Sequence, residues 1–487
     1  MYKVLLIFPL LLFPVFTFPQ SGFVFKYSTL NDETPSSIIE TNDGGFIVCG
    51  PTGTYPVSYH TLLIRLNKYG DSLKTKIIDY PIGYSFLSEI VKLDNGTYLG
   101  VGRKTLSSGE EKLWLITLSD SLDILKDTSY SCGLGTIYKL RGMRDHFGKI
   151  VIYGTSTVID SLYDPPHPFI LLATQQSDSL DFKYFHAGTS QMVFSMLEKY
   201  DTSGYYMFLF GHYQTYTQTF SQILGLNYQL QVTSTDSIPA GLTFSLDSKN
   251  YLNRSLIVTG KMSYWGSNPR TDKLGILKLD SSLQLTSEYF FGPDDTISSP
   301  GYNYNLCIKP DNEIFYGGAT NQSISTEFPY DTAYIILGCF DTSLNLIWQK
   351  YYGGDQYYGV WTVNTTADGG CIIGASSFNY KVQNQERDIY ILKVDSNGII
   401  TGINTNPPSK KQGTRIYPNP GMELINVETT LNSSIVYFYD LTGREIYHQD
   451  LSPGRNSINV KKFRPGIYIY KILRSSEVLQ LGKWIKD

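Results

Sequence analysis

Asp294 and Asp295, adjacent in "GPDDT", are a pair of carboxylates that could serve glycoside hydrolysis. That chemistry needs two carboxyl groups held across a scissile bond, one to protonate the leaving oxygen and one to attack or to activate water. Their separation is set by the fold, and a charged loop accounts for the same pair. Histidines are the next candidates. His60 and His167 ("PPHP") fall in expected loops, His186 follows an aromatic strand, and His212 ("GHYQTY") follows a glycine. Loops on one face could gather them around a metal, although solvated loop histidine is the commoner state. Asp43 and Asp368 each open a DGG triplet, but no DxDxDG calcium loop surrounds either. HExxH, GxSxG, P-loop and GxGxxG motifs are all missing. The expectation is therefore no catalytic, cofactor-binding or metal residue, and no cofactor.

The DGG triplets lead to the elements that carry them. "DGGFIVCG" (Asp43 to Gly50) returns as "DGGCIIGA" (Asp368 to Ala375), and degraded copies end at Gly102, Gly154, Gly211, Gly260 and Gly318. Each copy is followed by a second apolar run closing on a polar turn, such as "LLIRLNKYGDSL" or "IYILKVDSNGII". One unit thus reads as roughly four strands, and the period points to a β-propeller or a linear solenoid. The N-terminus discriminates. "FVFKYS" parallels the outer strand "IWQKYY", whereas the seventh unit has no full outer strand of its own, so the N-terminal segment can complete it and close a ring. The triplets Asp43, Gly44, Gly45 and Asp368, Gly369, Gly370 are read as structural turns, glycine supplying positive φ and aspartate bonding the backbone. Helix-period segments are almost absent, "QMVFSMLEKY" being the one stretch that fits.

Composition agrees with an all-β protein. The 487 residues include 39 Tyr and 25 Phe with only 17% charged side chains, and 40 basic against 44 acidic groups leave a net charge of −4. No basic block is available to neutralise phosphates, so nucleic acid is not an expected partner. "MYKVLLIFPLLLFPVFTFPQ" has the layout of a secretory signal peptide, and no later stretch is apolar enough to span a bilayer. Of five cysteines, Cys49, Cys339 and Cys371 sit in apolar runs that suit burial, and no CxxC pair occurs.

The expected organisation is a signal peptide over 1–20, a seven-bladed β-propeller over 21–404, a linker over 405–415 ("NTNPPSKKQGTR" marks the boundary) and a small β-sandwich over 416–487. The repeats resemble secreted repeat proteins of Gram-negative bacteria, most closely in "TTADGGCIIGASS" with "DIYILKVDSNG". The last segment resembles the type A carboxy-terminal sorting domain of type IX secretion. The likeness rests on Tyr417, Pro418, Asn419 and Pro420 ("YPNP"), on Asp440, Gly443 and Arg444 ("YDLTGREI"), on Pro465, Gly466 and Tyr468 ("PGIYIYKI"), and on Lys483 and Lys486 in the basic end "GKWIKD". This resemblance implies an immunoglobulin-like sandwich, recognition by the translocon, processing by a surface sortase through residues 416–487, and a secreted or outer-membrane-attached product. The functional expectation is a propeller that binds a glycan or protein ligand. The alternatives are an extracellular glycoside hydrolase and a structural surface or matrix component. Clustered carboxylates in a central funnel would favour the hydrolase, and an aromatic funnel without them would favour binding.

Overall fold

In the computed structural model the described residues are 22–486 apart from 55–57, 80–83, 106–109, 159–165, 174–179, 186–189, 213–218, 265–270, 295, 323–330, 383–385, 401–414, 419–420, 430–431, 441–443 and 475–476. The signal-peptide reading and nearly all of the expected linker lie outside them. Up to Val394 the described strands form seven antiparallel sheets of four or five strands. The innermost strands are Ser37–Glu40, Ser85–Lys92, Leu134–Arg144, Gln191–Glu198, Thr243–Tyr251, Leu306–Ile308 and Tyr357–Thr365, in sheet order one to seven.

Each sheet packs on the next through its own apolar cluster. In the first sheet Ile47 and Cys49 point forward to the second sheet, while Phe46 and Val48 point back to the seventh. A strand covered on both faces has no polar side, which is why "FIVCG" and its copies are continuous apolar runs rather than alternating ones. Clusters of this kind join sheets one to two, two to three and onward to seven, and a last one joins seven back to one. The sheets therefore close a ring, which is a β-propeller.

Closure falls where the N-terminal strand was expected to supply it. Phe23–Tyr27 pairs antiparallel with Asp388–Val394, Phe23 opposite Lys393 and Tyr27 opposite Ile389. Phe23 and Phe25 are buried against the first sheet, the Phe23 ring centroid 5.8 Å from that of Phe46. Beside it, Arg387 Nη2 meets Asp32 Oδ2 at 2.6 Å and Glu33 N donates to the Arg387 carbonyl at 2.8 Å.

Glu33 makes this closure sensitive to pH. The residue is fully buried, and burial raises its pKa to about 7 against opposing bonds from Thr29 and Thr52, with the Asp388 charge adding to the rise. Because the folded pKa lies above the unfolded one, the protonated carboxyl stabilises the fold fully below about pH 4.5. That contribution is lost as pH rises to about 7, by about 3 kcal/mol at most. Gln imitates the protonated acid. Glu33→Gln is thus expected to match wild type in urea unfolding at pH 4 and to exceed it by about 2–3 kcal/mol at pH 8; a difference that does not change with pH would remove Glu33 from this role.

Two local expectations need correction. "QMVFSMLEKY" is the innermost strand Gln191–Glu198 of the fourth sheet, because its apolar side chains are taken up by sheets on both sides and packing overrides helical spacing. His60 and His167 lie in strands Ser58–Leu66 and His167–Ala173, not in loops.

The C-terminal segment folds as two antiparallel sheets, one of Arg415–Tyr417, Leu424–Thr429 and Gly454–Asn459, the other of Glu445–Leu451, Ser434–Tyr439, Gly466–Arg474 and Glu477–Lys486. Both contribute to one core around Val427, Phe438, Ile458, Ile472 and Trp484. No helix among the described residues is long and apolar enough to cross a membrane.

Candidate functional site

One position of the repeat, thirteen residues ahead of the closing residue, is polar in all seven copies, and in six of them it reaches the axis: Ser37 before Gly50, Glu89 before Gly102, Arg141 before Gly154, Asp247 before Gly260, Asn305 before Gly318 and Thr362 before Ala375. In the fourth sheet Ser195 takes the corresponding place. All seven are buried on or beside the innermost strands. Register shifts interrupt pairing just before this level, at Leu87/Glu89, Ile137/Lys139, Val193/Ser195, Thr243/Asp247 and Val360/Thr362. Such bulges bend a strand and re-aim its side chains. The result is a polar belt around the ring's axis.

The belt is bonded from sheet to sheet. Ser37 Oγ donates to Glu89 Oε1 at 2.7 Å, and Ser195 Oγ donates to Asp247 Oδ1 at 3.3 Å. Asp247 also accepts Ser248 N at 2.8 Å on Oδ1, and Asn305 N at 3.1 Å and Leu306 N at 3.3 Å on Oδ2. The segment 301–305 of the sixth sheet then crosses the axis. Tyr302 N and Asn303 N donate to the Val360 and Trp361 carbonyls of the seventh sheet, Asn303 Nδ2 reaches Ser36 O of the first at 2.8 Å, and Lys139 Nζ of the third reaches Tyr302 O at 2.9 Å. Tyr302 packs on Trp361, ring centroids 5.0 Å apart. This plug makes the axial space a blind funnel rather than a through-channel.

Within the funnel lies a cavity of about 560 Å³. Glu89, Tyr153, Ser195, Asp247 and Tyr304 are among its polar lining; Ile38, Ile90, Met143, Met196 and Ile308 form an apolar collar; Glu40, Lys249 and Thr365 are half-buried. Burial raises the Glu89 carboxyl above its ordinary range, opposed by Tyr304, Ser37 and Arg141. Lys139 is pushed far down by burial and by the Arg141 charge. Arg141 stays charged, burial being outweighed by Tyr304, Tyr153, Asp247 and Glu89 around it. Its guanidinium lies 4.2 Å from the Tyr304 ring, yet none of its three nitrogens makes a hydrogen bond among the described residues, and neither does Glu89 Oε2.

The residues singled out from sequence lie elsewhere. Asp294 is exposed and paired with Lys273, and Asp295 lies outside the described residues, as does His186. His60 Nδ1 is 2.8 Å from Asp79 Oδ1, His167 is buried against Tyr184, and His212 ends the strand Tyr205–His212. The described residues contain no group of three or more His, Cys, Asp or Glu suited to a metal. Asp43 accepts Thr41 Oγ1 at 2.6 Å and Gly45 N at 3.0 Å, and Arg65 Nη2 reaches both its oxygens at 2.8 Å. Thr41 and Arg65 hold this carboxyl well below the usual range. Gly44 takes φ +77°, and a methyl on Gly45 would strike the Leu66 carbonyl. Asp368 repeats the turn with Thr366, Gly370 N and Lys393, and Gly369 takes φ +78°.

In the C-terminal unit, Trp484 Nε1 donates to the Pro418 carbonyl at 2.9 Å, and Tyr468 OH donates to the Arg464 carbonyl just before Pro465. Asp440 binds Arg444 through both backbone and side chain. Gly466 pairs with Lys486, Lys483 pairs with Ile469, and Tyr417 OH is 3.4 Å from Glu428. Asn419, Pro420 and Gly443 lie outside the described residues. Trp484, unusual in an end otherwise basic, is fully buried and fills the centre of this unit's core.

Ring and tail together define a β-propeller carrying a separate C-terminal β unit. Residues 415–487 match the family described as Secretion system C-terminal sorting domain. The tail therefore marks the chain as secreted or attached to the outer-membrane surface by type IX secretion. No curated protein matches the chain. Among solved structures it is similar to a subtype N10 neuraminidase-like protein (A/little yellow-shouldered bat/Guatemala) at 10% identity and TM-score 0.37, over 63% of this chain and 94% of that one. It is also similar to an exo-beta-1,3-galactanase from Phanerochaete chrysosporium at 11% identity and TM-score 0.33, over 71% and 94%.

Proposed function

We propose that this protein is an exported β-propeller that binds a small polar ligand in its blind central funnel. The observation that carries the reading is a buried carboxyl oxygen without a hydrogen bond, Glu89 Oε2, in the wall of a cavity of about 560 Å³. Buried polar atoms are normally paired, and a cavity of this size suits a small organic molecule. A purely structural ring would gain by filling the axis with apolar side chains.

The funnel contains both Glu89 and Asp247, which gives the hydrolase reading a specific footing. Glu89, raised by burial, has the character of a general acid. Asp247 does not suit the second role, because both of its oxygens already accept backbone N–H groups. Binding is therefore the reading we prefer.

Glu89→Gln tests it. In a thermal-shift screen of sugars and small organic acids, a ligand of the funnel stabilises wild type and leaves the variant unmoved. The ligand-free variant is expected to keep its stability within about 1 kcal/mol, because burial already favours the uncharged carboxyl that glutamine imitates. A compound that shifts both proteins equally, or a screen in which none shifts wild type, would sink the reading.

We further propose that the translocon and a surface sortase act through residues 416–487, including the YPNP, YDLTGREI and PGIYIYKI motifs and the basic end. The form recovered from the cell surface is then expected to lack this segment. Peptide mapping that finds "GKWIKD" on the mature surface protein would exclude the sortase.

A further inference from the structure

Three of the five cysteines, Cys307, Cys339 and Cys371, lie in one buried cluster between the sixth and seventh sheets. Cys307 sits on the innermost strand Leu306–Ile308 and Cys371 opens the strand Cys371–Phe378. The repeat fixes where each side chain points. The place of Cys307 is taken in the first sheet by Ile39, which packs forward on the second sheet, and that of Cys371 by Phe46, which packs back on the seventh. Cys307 therefore faces forward and Cys371 backward across one interface, and both side chains belong to the one buried cluster that fills it. Cys339 turns away to Glu313 Oε2, at 3.6 Å. Cys307 also borders the funnel cavity, which gives a small reagent a way to the pair.

The other link is the compartment. A chain with an export tail leaves the reducing cytosol, and disulfides persist outside it.

We propose that Cys307 and Cys371 become a disulfide on export, joining the sixth sheet to the seventh. The two S–H bonds are replaced by one S–S bond. Two protons and two electrons pass to the disulfide of a periplasmic thiol oxidoreductase, which leaves as a dithiol, by exchange through a mixed disulfide. Exchange starts before the two sheets dock, or at Cys307 from the funnel.

The test uses the full chain folded in a glutathione redox buffer, then denatured and alkylated without reductant. The expected result is alkylation at Cys49, Cys132 and Cys339 alone, and a digest containing one linked pair of peptides, around Cys307 and Cys371, that separates on reduction. Cys371→Ser is expected to label at all its remaining cysteines, and Cys132→Ser to keep the link. In wild type the melting temperature should fall by several degrees on adding dithiothreitol, and in Cys307→Ala/Cys371→Ala it should not move. Alkylation of every cysteine in wild type, or a link between any other pair, overturns the proposal.

Discussion

Replacing Phe23 and Phe25 together by alanine is expected to open the ring between its seventh and first sheets. Both rings are buried, Phe23 at 2% and Phe25 at 5% exposure, and both belong to the cluster that joins the last sheet to the first. Truncating a buried phenylalanine costs about 3–5 kcal/mol through lost burial and the cavity left behind. The two share neighbours, so their effects will not simply add, but a loss above about 5 kcal/mol rivals the whole stability of an ordinary domain. The backbone ladder from Phe23 to Tyr27 does not compensate, because a strand without its apolar face pairs equally well with water. Urea unfolding of the full chain measures the loss, and limited proteolysis should cut first near the freed strand. Leu73→Ala, on the exposed outer strand of the first sheet, serves as control, with an effect within about 0.5 kcal/mol. An unchanged midpoint for the double variant would mean that the ring holds without its N-terminal strand.

Asp247→Ala should be nearly as damaging, by another mechanism. Its carboxylate gathers Ser195 from the fourth sheet, its own neighbour Ser248, and the backbone of Asn305 and Leu306 from the sixth. Removing it strands buried N–H groups and takes a negative charge away from Arg141, a loss of about 3–5 kcal/mol by the usual cost of breaking a buried charged network. Asp247→Asn keeps the shape but turns a donor toward donors, and is expected to fall between wild type and alanine. The plug segment 301–305 depends on this anchor, so amide hydrogen exchange at Tyr302, Asn305 and Leu306 should speed up in both variants well before the outer strands respond. Uniform acceleration over the ring would instead mean global destabilisation without a role for Asp247 in holding the plug.

The architecture was legible because strands buried on both faces are written as apolar runs, and a ring repeats that phrase once per sheet. The closing strand was legible for the same reason: "FVFKYS" reads as an outer strand in search of a sheet, and Asp388–Val394 has a free edge for it. The triplets at Asp43 and Asp368 could be read as turns because glycine conformation and aspartate bonding are local properties. The segment "QMVFSMLEKY" was ambiguous because its spacing is also satisfied by a strand between two apolar neighbours.

The funnel was hidden for the opposite reason. Glu89, Arg141 and Asp247 stand far apart in the chain, in three copies that otherwise differ, and no spacing rule links a glutamate, an arginine and an aspartate as one site. The one signal was their shared place in the repeat, thirteen residues before each closing glycine. Sequence by itself determined the strand repeat, the closing strand and the sorting tail, since each depends on local pattern. Only the tertiary structure decided which side chains meet on the axis, because closing the ring brings together one residue from every sheet, and the burial that closure imposes raises Glu89 and leaves Arg141 charged without a hydrogen bond.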